Sequence, residues 1–272
     1  MAKRLRAKSK SATASVPHDG VLEEMTREEV AAMEPEVVVL PLGSTEPHGP
    51  HLPLGTDSYQ VSFVARRAVA DANCRGARAL LYPTIPITNN ANARRFKFAC
   101  RIGIRTLMDC LLDIVTQCRD DGIRKIVIAN GHGGNPAAIQ AVLREISGMD
   151  DMPFVCCAHT YMLKTPDFVD PIEYPSMHGG ESESSRMLHV RPDLVHPEEF
   201  ADNPVARLRV PALAQTDYVR PWHIFVPRSA GGETRKSTAA KGKLISENEA
   251  AVLAQLLVEL SAAKFDERFP YL

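Results

Sequence analysis

Two kinds of segment, each with its own pattern of apolar and polar positions, follow one another along the chain. The first pattern is a short, continuous apolar run, found at residues 37–41, 79–82, 125–129 and 154–158. The second pattern repeats apolar residues three and four apart, found at 26–33, 58–72, 105–118, 136–146 and 248–265. Continuous runs of this length are typical of strands buried on both faces of a sheet, and the second pattern predicts amphipathic helices.

Strands that alternate with helices indicate an α/β fold with a parallel or mostly parallel central sheet that helices cover on both faces. A turn entering a further helix is predicted at 177–188, whereas 85–104 and 193–243 have no clear period and read as connections. Long polar connections inside compact domains are often functional. No linker divides residues 19–272, so we expect a single domain there.

Composition narrows the classes of function. The 272 residues carry 32 Lys+Arg against 33 Asp+Glu, so the charge balance offers no case for a nucleic-acid or anionic-membrane partner. No apolar run reaches the roughly 18 residues of a membrane span. Residues 1–18 are basic without the apolar centre of a secretory signal, which predicts a flexible tail. The six cysteines form no CxxC pair, and we expect reduced thiols in a soluble, cytoplasmic protein.

Chemistry-bearing side chains follow the predicted strands. Glu46, His48 and Asp57 come after the first apolar run, His132 follows the run at 125–129, and His178 precedes Glu181 and Glu183. Because the carboxyl ends of parallel strands share one edge, these side chains can meet there. Carboxylates and imidazoles together are ligands of divalent metals. Ordinary hydrogen bonding is the better explanation of any one of these residues alone, but the whole set favours a metal site.

Three motifs carry a resemblance to a known family. They are Glu46-Pro47-His48-Gly49-Pro50-His51-Leu52-Pro53 with Asp57, Asn130-Gly131-His132, and His178-Gly179-Gly180-Glu181-Ser182-Glu183. The chain resembles the creatininase (creatinine amidohydrolase) family over most of residues 24–265. The resemblance implies a three-layer α/β/α sandwich, a homohexamer, and two divalent metals at the edge of the sheet.

The resemblance also implies which residues hold each metal. Glu46, Asp57 and His132 would hold one ion, and His48 the other, with Asp57 bridging the two. Creatininase has a glutamate ligand at the position of Gly134, and glycine cannot replace it. Glu183 is our candidate for the missing carboxylate and Glu181 the alternative; on a helix the two point about 200° apart, so at most one faces the metals. Zn, Mn and Fe suit this donor set almost equally.

The expected reaction follows from the ligands. Two divalent ions can activate water as a nucleophile and polarise a carbonyl. We therefore expect hydrolysis of the C–N bond of a small cyclic or formylated amide, with His178 and Glu183 as catalytic residues. His178 could give a proton to the leaving group, or instead hold a ligand carboxylate by a hydrogen bond.

Substrate contacts are predicted at Tyr174, Gly133 and Arg101. Tyr174 stands where creatininase has a tryptophan over its flat ring, and Arg101 belongs to a basic segment that would suit a carboxylate, phosphate or hydroxyl-rich substrate. A solvated charged face is the commoner explanation of such a segment. Two alternative functions therefore stand beside the amide hydrolase: ring-opening hydrolysis of a cyclic polyol ketone, and a metal- or ligand-binding relative without turnover.

Overall fold

The computed structural model describes residues 19–175 and 177–272, so the predicted tail at 1–18 lies outside the described residues. The strands are β1 (Val37–Leu42), β2 (Ala79–Leu81), β3 (Lys125–Asn130), β4 (Phe154–His159), β5 (Asp202–Asn203) and β6 (Gly232–Glu233). The helices are α1 (Arg27–Met33), α2 (Thr56–Cys74), α3 (Ile104–Asp120), α4 (Pro136–Ile146), α5 (Glu181–Val190), α6 (Trp222–Phe225) and α7 (Ala239–Ala262).

The central sheet has the order β2-β1-β3-β4, and every pairing in it is parallel. Leu42 at the end of β1 pairs with Asn130 at the end of β3, which in turn pairs with His159 at the end of β4. Strands β5 and β6 form a separate antiparallel pair. The predicted parallel sheet is confirmed, and the carboxyl ends of three strands lie level at one edge.

Successive residues of the inner strands face opposite layers of helices. Val37 and Val39 pack in the same buried cluster as α2 and α7, whereas Val38, Leu40 and Leu42 pack with α3 and α4. All six residues of β1 are buried, as are all six of β3. The continuous apolar runs are therefore strands buried on both faces, as predicted. The helices form the outer layers of a three-layer α/β/α sandwich.

The last helix differs most from its prediction. It begins at Ala239 rather than at 248, with Thr238 as its N-cap, whose side chain accepts a hydrogen bond from the backbone N–H of Lys241. The sequence between 239 and 243 holds two alanines, two lysines and a glycine, so it has no apolar stripe to predict a helix from. Among the described residues, no helix has the length and apolar character that crossing a membrane requires.

Helix α5 is fixed against α7 by a close approach at Gly242. A Cβ atom at this position would overlap the backbone carbonyl of Ser185, so the two helices can lie this close only with glycine there. Because α5 also carries Glu183, the position of that carboxylate depends on this packing.

We expect Gly242→Ala to lower the free energy of unfolding by about 1–3 kcal/mol, because overpacking outweighs the gain of roughly 1 kcal/mol in helix propensity. Gly148→Ala is the matched control, since a Cβ there would lie 3.5 Å from the nearest atom, the carbonyl oxygen of Glu145. Urea unfolding of both variants measures the difference. A Gly242→Ala protein as stable as the parent would contradict the close-packing argument.

Candidate metal centre

The loop after β1 turns back on itself and brings two acidic residues and a histidine together. The backbone N–H of Glu46 donates to the carbonyl of Leu54 at 2.9 Å, and His48 forms an isolated bridge with Leu52. Asp57, in the first turn of α2, thereby lies next to His48, with Oδ1 3.2 Å from Nε2. The Gly/Pro-rich turn between residues 49 and 55 thus folds Asp57 back towards His48.

A tight turn after β3 delivers the second imidazole. The side chain of Asn130 spans this turn, accepting a hydrogen bond from the backbone N–H of His132 at 3.2 Å and donating to its carbonyl at 3.0 Å. The Nδ1 atom of His132 lies 2.9 Å from Asp57 Oδ2 and 3.3 Å from Glu46 Oε1. Residues 46, 57 and 132 therefore meet at one point, although they come from different segments.

Helix α5 brings Glu183 to the other side of Asp57. Glu183 Oε2 lies 3.6 Å from His48 Nε2 and accepts the backbone N–H of Gly179 at 2.7 Å. Glu181 points away: its Oε1 lies 2.6 Å from Lys241 Nζ. Of the two carboxylates left open by the sequence, Glu183 is the one that faces the cluster.

His51, in the same motif as Glu46 and His48, is placed differently. Its Nε2 lies 2.9 Å from the carbonyl of Gly179 and 3.0 Å from Ser184 Oγ. These contacts join the loop after β1 to the start of α5. His51 thus connects the two segments that carry the cluster and does not reach into the cluster itself.

Three groups of donor atoms among the described residues could hold an ion: one is Glu46, His48 and His178, and the other two share Asp57. Glu46, Asp57 and His132 make one group and His48, Asp57 and Glu183 the other, and the candidate ligand atoms of each group lie within 4.8 Å of one another. Ligand atoms held about 2.0–2.2 Å from one ion lie roughly 3.0–3.4 Å apart. Several of the pairs described above have this separation.

Buried atoms without partners support the fit. Glu46 Oε2 is buried and has no hydrogen-bond partner among the described residues, and Asp57 Oδ2 also makes no hydrogen bond, although His132 Nδ1 is 2.9 Å away. Close approach of a nitrogen and an oxygen without hydrogen-bond geometry is what two ligands of one cation would show. Buried carboxylates need such compensation, because an unpaired buried charge is very costly.

Backbone carbonyls orient both imidazoles. His48 Nδ1 lies 3.0 Å from the carbonyl of Glu46, and His132 Nε2 lies 3.1 Å from the carbonyl of Asn89. A ring nitrogen that faces a carbonyl must carry a proton, so the other nitrogen of each ring is the one that offers a lone pair to the cluster once the ring is neutral. His48 therefore presents Nε2 and His132 presents Nδ1, the tautomers that metal binding requires.

The contact between His132 and the carbonyl of Asn89 also explains the glycine at position 134. A Cβ atom at this position would overlap both the carbonyl oxygen of Asn89 and Nε2 of His132. Any side chain at 134 would therefore disturb the hydrogen bond that fixes the tautomer of His132. The glutamate that the family resemblance implies at this position is therefore absent, and Glu183 is the carboxylate that lies beside His48.

Mutual electrostatics shift the protonation of the buried groups. Burial raises the pKa of Glu46 to about 7, although His132 beside it acts in the opposite direction. Burial would lower the pKa values of the two histidines, but Asp57 raises that of His48 to about 10, and Glu46 with Asp57 raises that of His132 to about 9. Burial would raise the pKa of Asp57, but the imidazoles hold it below its ordinary range. Protonated imidazoles thus occupy the position of a cation, and metal binding must release those protons.

His178 is neutral, in contrast to the protonated His48 and His132. Burial and the neighbouring His48 lower the pKa of His178 to about 3, so this imidazole is neutral at pH 7. Its Nε2 lies 2.8 Å from the carbonyl of Pro47 and carries the proton, while Nδ1 lies 3.7 Å from Glu46 Oε1. The lone pair of Nδ1 faces the cluster, so this nitrogen can take part in proton transfer or join Glu46 and His48 as a candidate ligand.

A cavity of about 480 Å³ opens over the cluster. Glu46, Asp57, His132, His178 and Glu183 all border it. The ring of Trp222 lies 5.3 Å from that of His178, in an edge-to-face contact. The remaining residues that border the cavity are Asn92, Gly131, Gly133, Gly134, Tyr161, Met177, Arg186, Thr216, Asp217, Tyr218 and Arg220.

Of the three predicted substrate contacts, the structure places only Gly133 at this cavity. Tyr174 borders a different one, because its backbone N–H is held by Glu181 Oε2 on the far side of α5. Arg101 is exposed just before α3 and does not border the cavity. The aromatic ring expected from Tyr174 is supplied by Trp222, for which the only signal in the sequence is a single tryptophan within a loop-rich segment.

Comparison with known proteins agrees with this geometry. The profile of the creatininase (creatinine amidohydrolase) family matches residues 23–257. A mycofactocin precursor peptide peptidase from Mycobacterium tuberculosis (strain ATCC 25618 / H37Rv) is 31% identical over 241 residues, covering 85% of this chain and 87% of the relative. The matched region contains all five residues of the two candidate metal groups.

Two solved structures have the same fold. A Bacteroides fragilis NCTC 9343 protein described as a creatinine amidohydrolase superposes with a TM-score of 0.82 at 29% identity, covering 92% of this chain and 99% of its own. The structure called creatininase Mn superposes with a TM-score of 0.73 at 25% identity, covering 90% of this chain and 99% of its own. The similarity therefore extends over the whole sandwich and not over an isolated motif.

Glu183→Gln is expected to lower the metal content from about two divalent ions per chain to about one, because a neutral amide is a poor ligand at a site that depends on carboxylates. Glu181→Gln, two residues away on the other face of α5, should leave the content unchanged. Elemental analysis of both purified variants tests this. Equal metal content in the two variants would show that Glu183 is not a ligand.

Proposed function

Because this chain belongs to the creatininase family, we propose that it is a metal-dependent hydrolase that breaks the C–N bond of an amide in a small substrate. The observation that carries the proposal is the pair of donor groups joined by Asp57 at the floor of a cavity. The chemistry that two divalent ions supply when bound there is activation of water and polarisation of the amide carbonyl.

The chain's own residues would hold these ions and move the proton. Glu46, Asp57 and Glu183 supply negative charge, and the carbonyls of Glu46 and Asn89 keep both imidazoles in the required tautomer. His178, neutral and with Nδ1 towards the cluster, accepts a proton from the attacking water. It then returns that proton to the leaving nitrogen as the C–N bond breaks, so His178 acts first as base and then as acid.

The cavity suits a small amide. Its volume of about 480 Å³ lies within the usual range of roughly 300–1,000 Å³ for small-molecule sites. Trp222, which lies edge-on to His178, can cover a flat ring and exclude water from the reacting atoms. We therefore place small cyclic or formylated amides first.

A peptide amide is the second candidate. The Mycobacterium tuberculosis relative at 31% identity is named as a peptidase that acts on a precursor peptide. One wall of the cavity consists of residues 216–222, several of them exposed, which would let a longer substrate extend outwards. Both candidates use the same bond cleavage and the same residues.

The reaction is tested with protein loaded separately with zinc, manganese and iron(II), against lactams, cyclic ureides, N-formyl compounds and short peptides. We expect at least one amide class to be hydrolysed, and Glu46→Gln to reduce its kcat/KM by a factor of about 10³ or more, since electrostatic stabilisation by bound ions is lost. Glu145→Gln, an exposed position on α4, is the matched control. A protein that holds both ions and hydrolyses none of these amides would overturn the proposal.

His178→Gln is expected to reduce kcat by a factor of about 10²–10⁴, the usual contribution of a positioned acid–base group. Metal content should stay at the level of the parent, because His178 belongs to the proton-transfer step. His196→Gln, an exposed histidine paired with Glu198, is the control and should keep full activity. Loss of metal from His178→Gln would instead assign His178 as a ligand.

A further inference from the structure

We propose that Arg186 is the specificity-determining residue of this cavity and binds a carboxylate carried by the substrate. The inference deepens the proposed function, on which it rests for the reaction, by naming the substrate class as amides that also bear a carboxylate. Sequence reasoning placed the basic contact at Arg101, which does not border the cavity, whereas Arg186 does.

The position of Arg186 on α5 links it to the candidate metal centre. It follows Glu183 by three residues, so both side chains lie on the same face of the helix, about 4.5 Å apart along its axis. Both border the cavity, and Arg186 is only 4% exposed. A carboxylate held here would lie within a few bonds of an amide held at the metal centre.

The guanidinium of Arg186 has unused hydrogen-bonding capacity. It has five N–H donors, and the contact the structure gives it is from Nη1 to Glu249 Oε1 on α7, at 3.2 Å. Its Nε is buried and has no partner among the described residues, and neither has Glu249 Oε2. A bidentate pair would satisfy both groups, so this single contact leaves the planar fork free for another carboxylate.

The charge of Arg186 is incompletely balanced at neutral pH. Burial raises the pKa of Glu249 to about 7, although Arg186 acts to lower it. Burial thus disfavours the charged form of the carboxylate that pairs with Arg186. The cavity then has a buried cation that no carboxylate fully compensates.

The other charged groups at the cavity are consistent with an anionic substrate. The carboxylates of Glu46, Asp57 and Glu183 point into the metal cluster, where two divalent ions would more than neutralise them. Arg220 lies at the exposed rim, with its guanidinium 5.0 Å from the centre of the Phe225 ring, and Asp217 is on the same exposed segment. Arg186 is thus the cation at the buried end of the cavity.

The test compares binding of N-acetylglycine with binding of N-acetylglycinamide, a neutral probe of nearly the same shape, by calorimetry on the metal-loaded protein. The parent should bind the carboxylate at least tenfold more tightly, as expected for a charge-assisted bidentate contact. Replacing both buried partners, Arg186→Met with Glu249→Met, should abolish this preference. A buried pair replaced together by apolar residues usually leaves the protein folded.

The variant Glu249→Gln is expected to strengthen binding of the carboxylate probe rather than weaken it. It keeps Arg186 and removes the competing carboxylate, so binding of N-acetylglycine should become severalfold tighter while binding of the amide stays the same. A purely structural role for the pair would alter the melting temperature of these variants without separating the two probes. Arg144→Met, on the exposed face of α4, is the matched control for loss of an arginine.

The outcomes separate this inference from the proposed reaction. A tenfold preference that persists in the double variant would mean that the bound ions hold the carboxylate, which overturns the role of Arg186. An equal affinity of the parent for both probes would overturn it as well. A preference that depends on Arg186 in a protein that hydrolyses no amide would instead support the anion site and refute the hydrolase.

Discussion

The structure depends on one shared carboxylate. Asp57 places one oxygen 3.2 Å from His48 and the other 2.9 Å from His132, so a single side chain joins the two donor groups. Glu46, His48, Asp57 and His132 are buried and Glu183 is partly buried, and charges of one sign in such surroundings repel strongly unless cations lie between them. The cluster is therefore stable only with protons or metal ions in its interior. Hydrophobic packing alone could not hold these carboxylates so close together.

The surrounding backbone, more than other side chains, fixes the geometry of the centre. Carbonyl groups of Glu46, Pro47 and Asn89 each face one imidazole of His48, His178 and His132 and so determine which nitrogen carries the proton. These carbonyls lie on loops that leave the level edge of the parallel sheet. The sandwich thus provides rigid strand ends, and the loops provide orientation, which is the usual division of labour in α/β folds.

The sequence predicted the parts of the molecule that follow from local patterns. Buried apolar runs indicated the strands, and residue types at the strand ends indicated where Glu46, Asp57 and His132 would meet. The start of α7 at Ala239 was missed because this first turn presents no apolar stripe. Trp222 and Arg186 were missed for another reason: their relation to the cavity is set by long connections and by packing between helices, and neither leaves a spacing in the sequence. The choice between Glu181 and Glu183 likewise required the rotation of α5, which local pattern does not fix.

Gly134 shows how one position affects the whole site. Without a side chain, it lets Asn89 approach His132, and this contact orients the ring; a glutamate, which the family resemblance implied at this position, would have no space here. The remaining carboxylate, Glu183, comes from α5, so this member of the second donor group and Arg186 lie on one helix. A shift of α5 would then move the metal ligand and the proposed anion-binding residue together. Because Gly242 fixes the distance between α5 and α7, and because Arg186 pairs with Glu249 on α7, the proposed substrate preference and the candidate metal ligand Glu183 would be coupled through a single interface between helices.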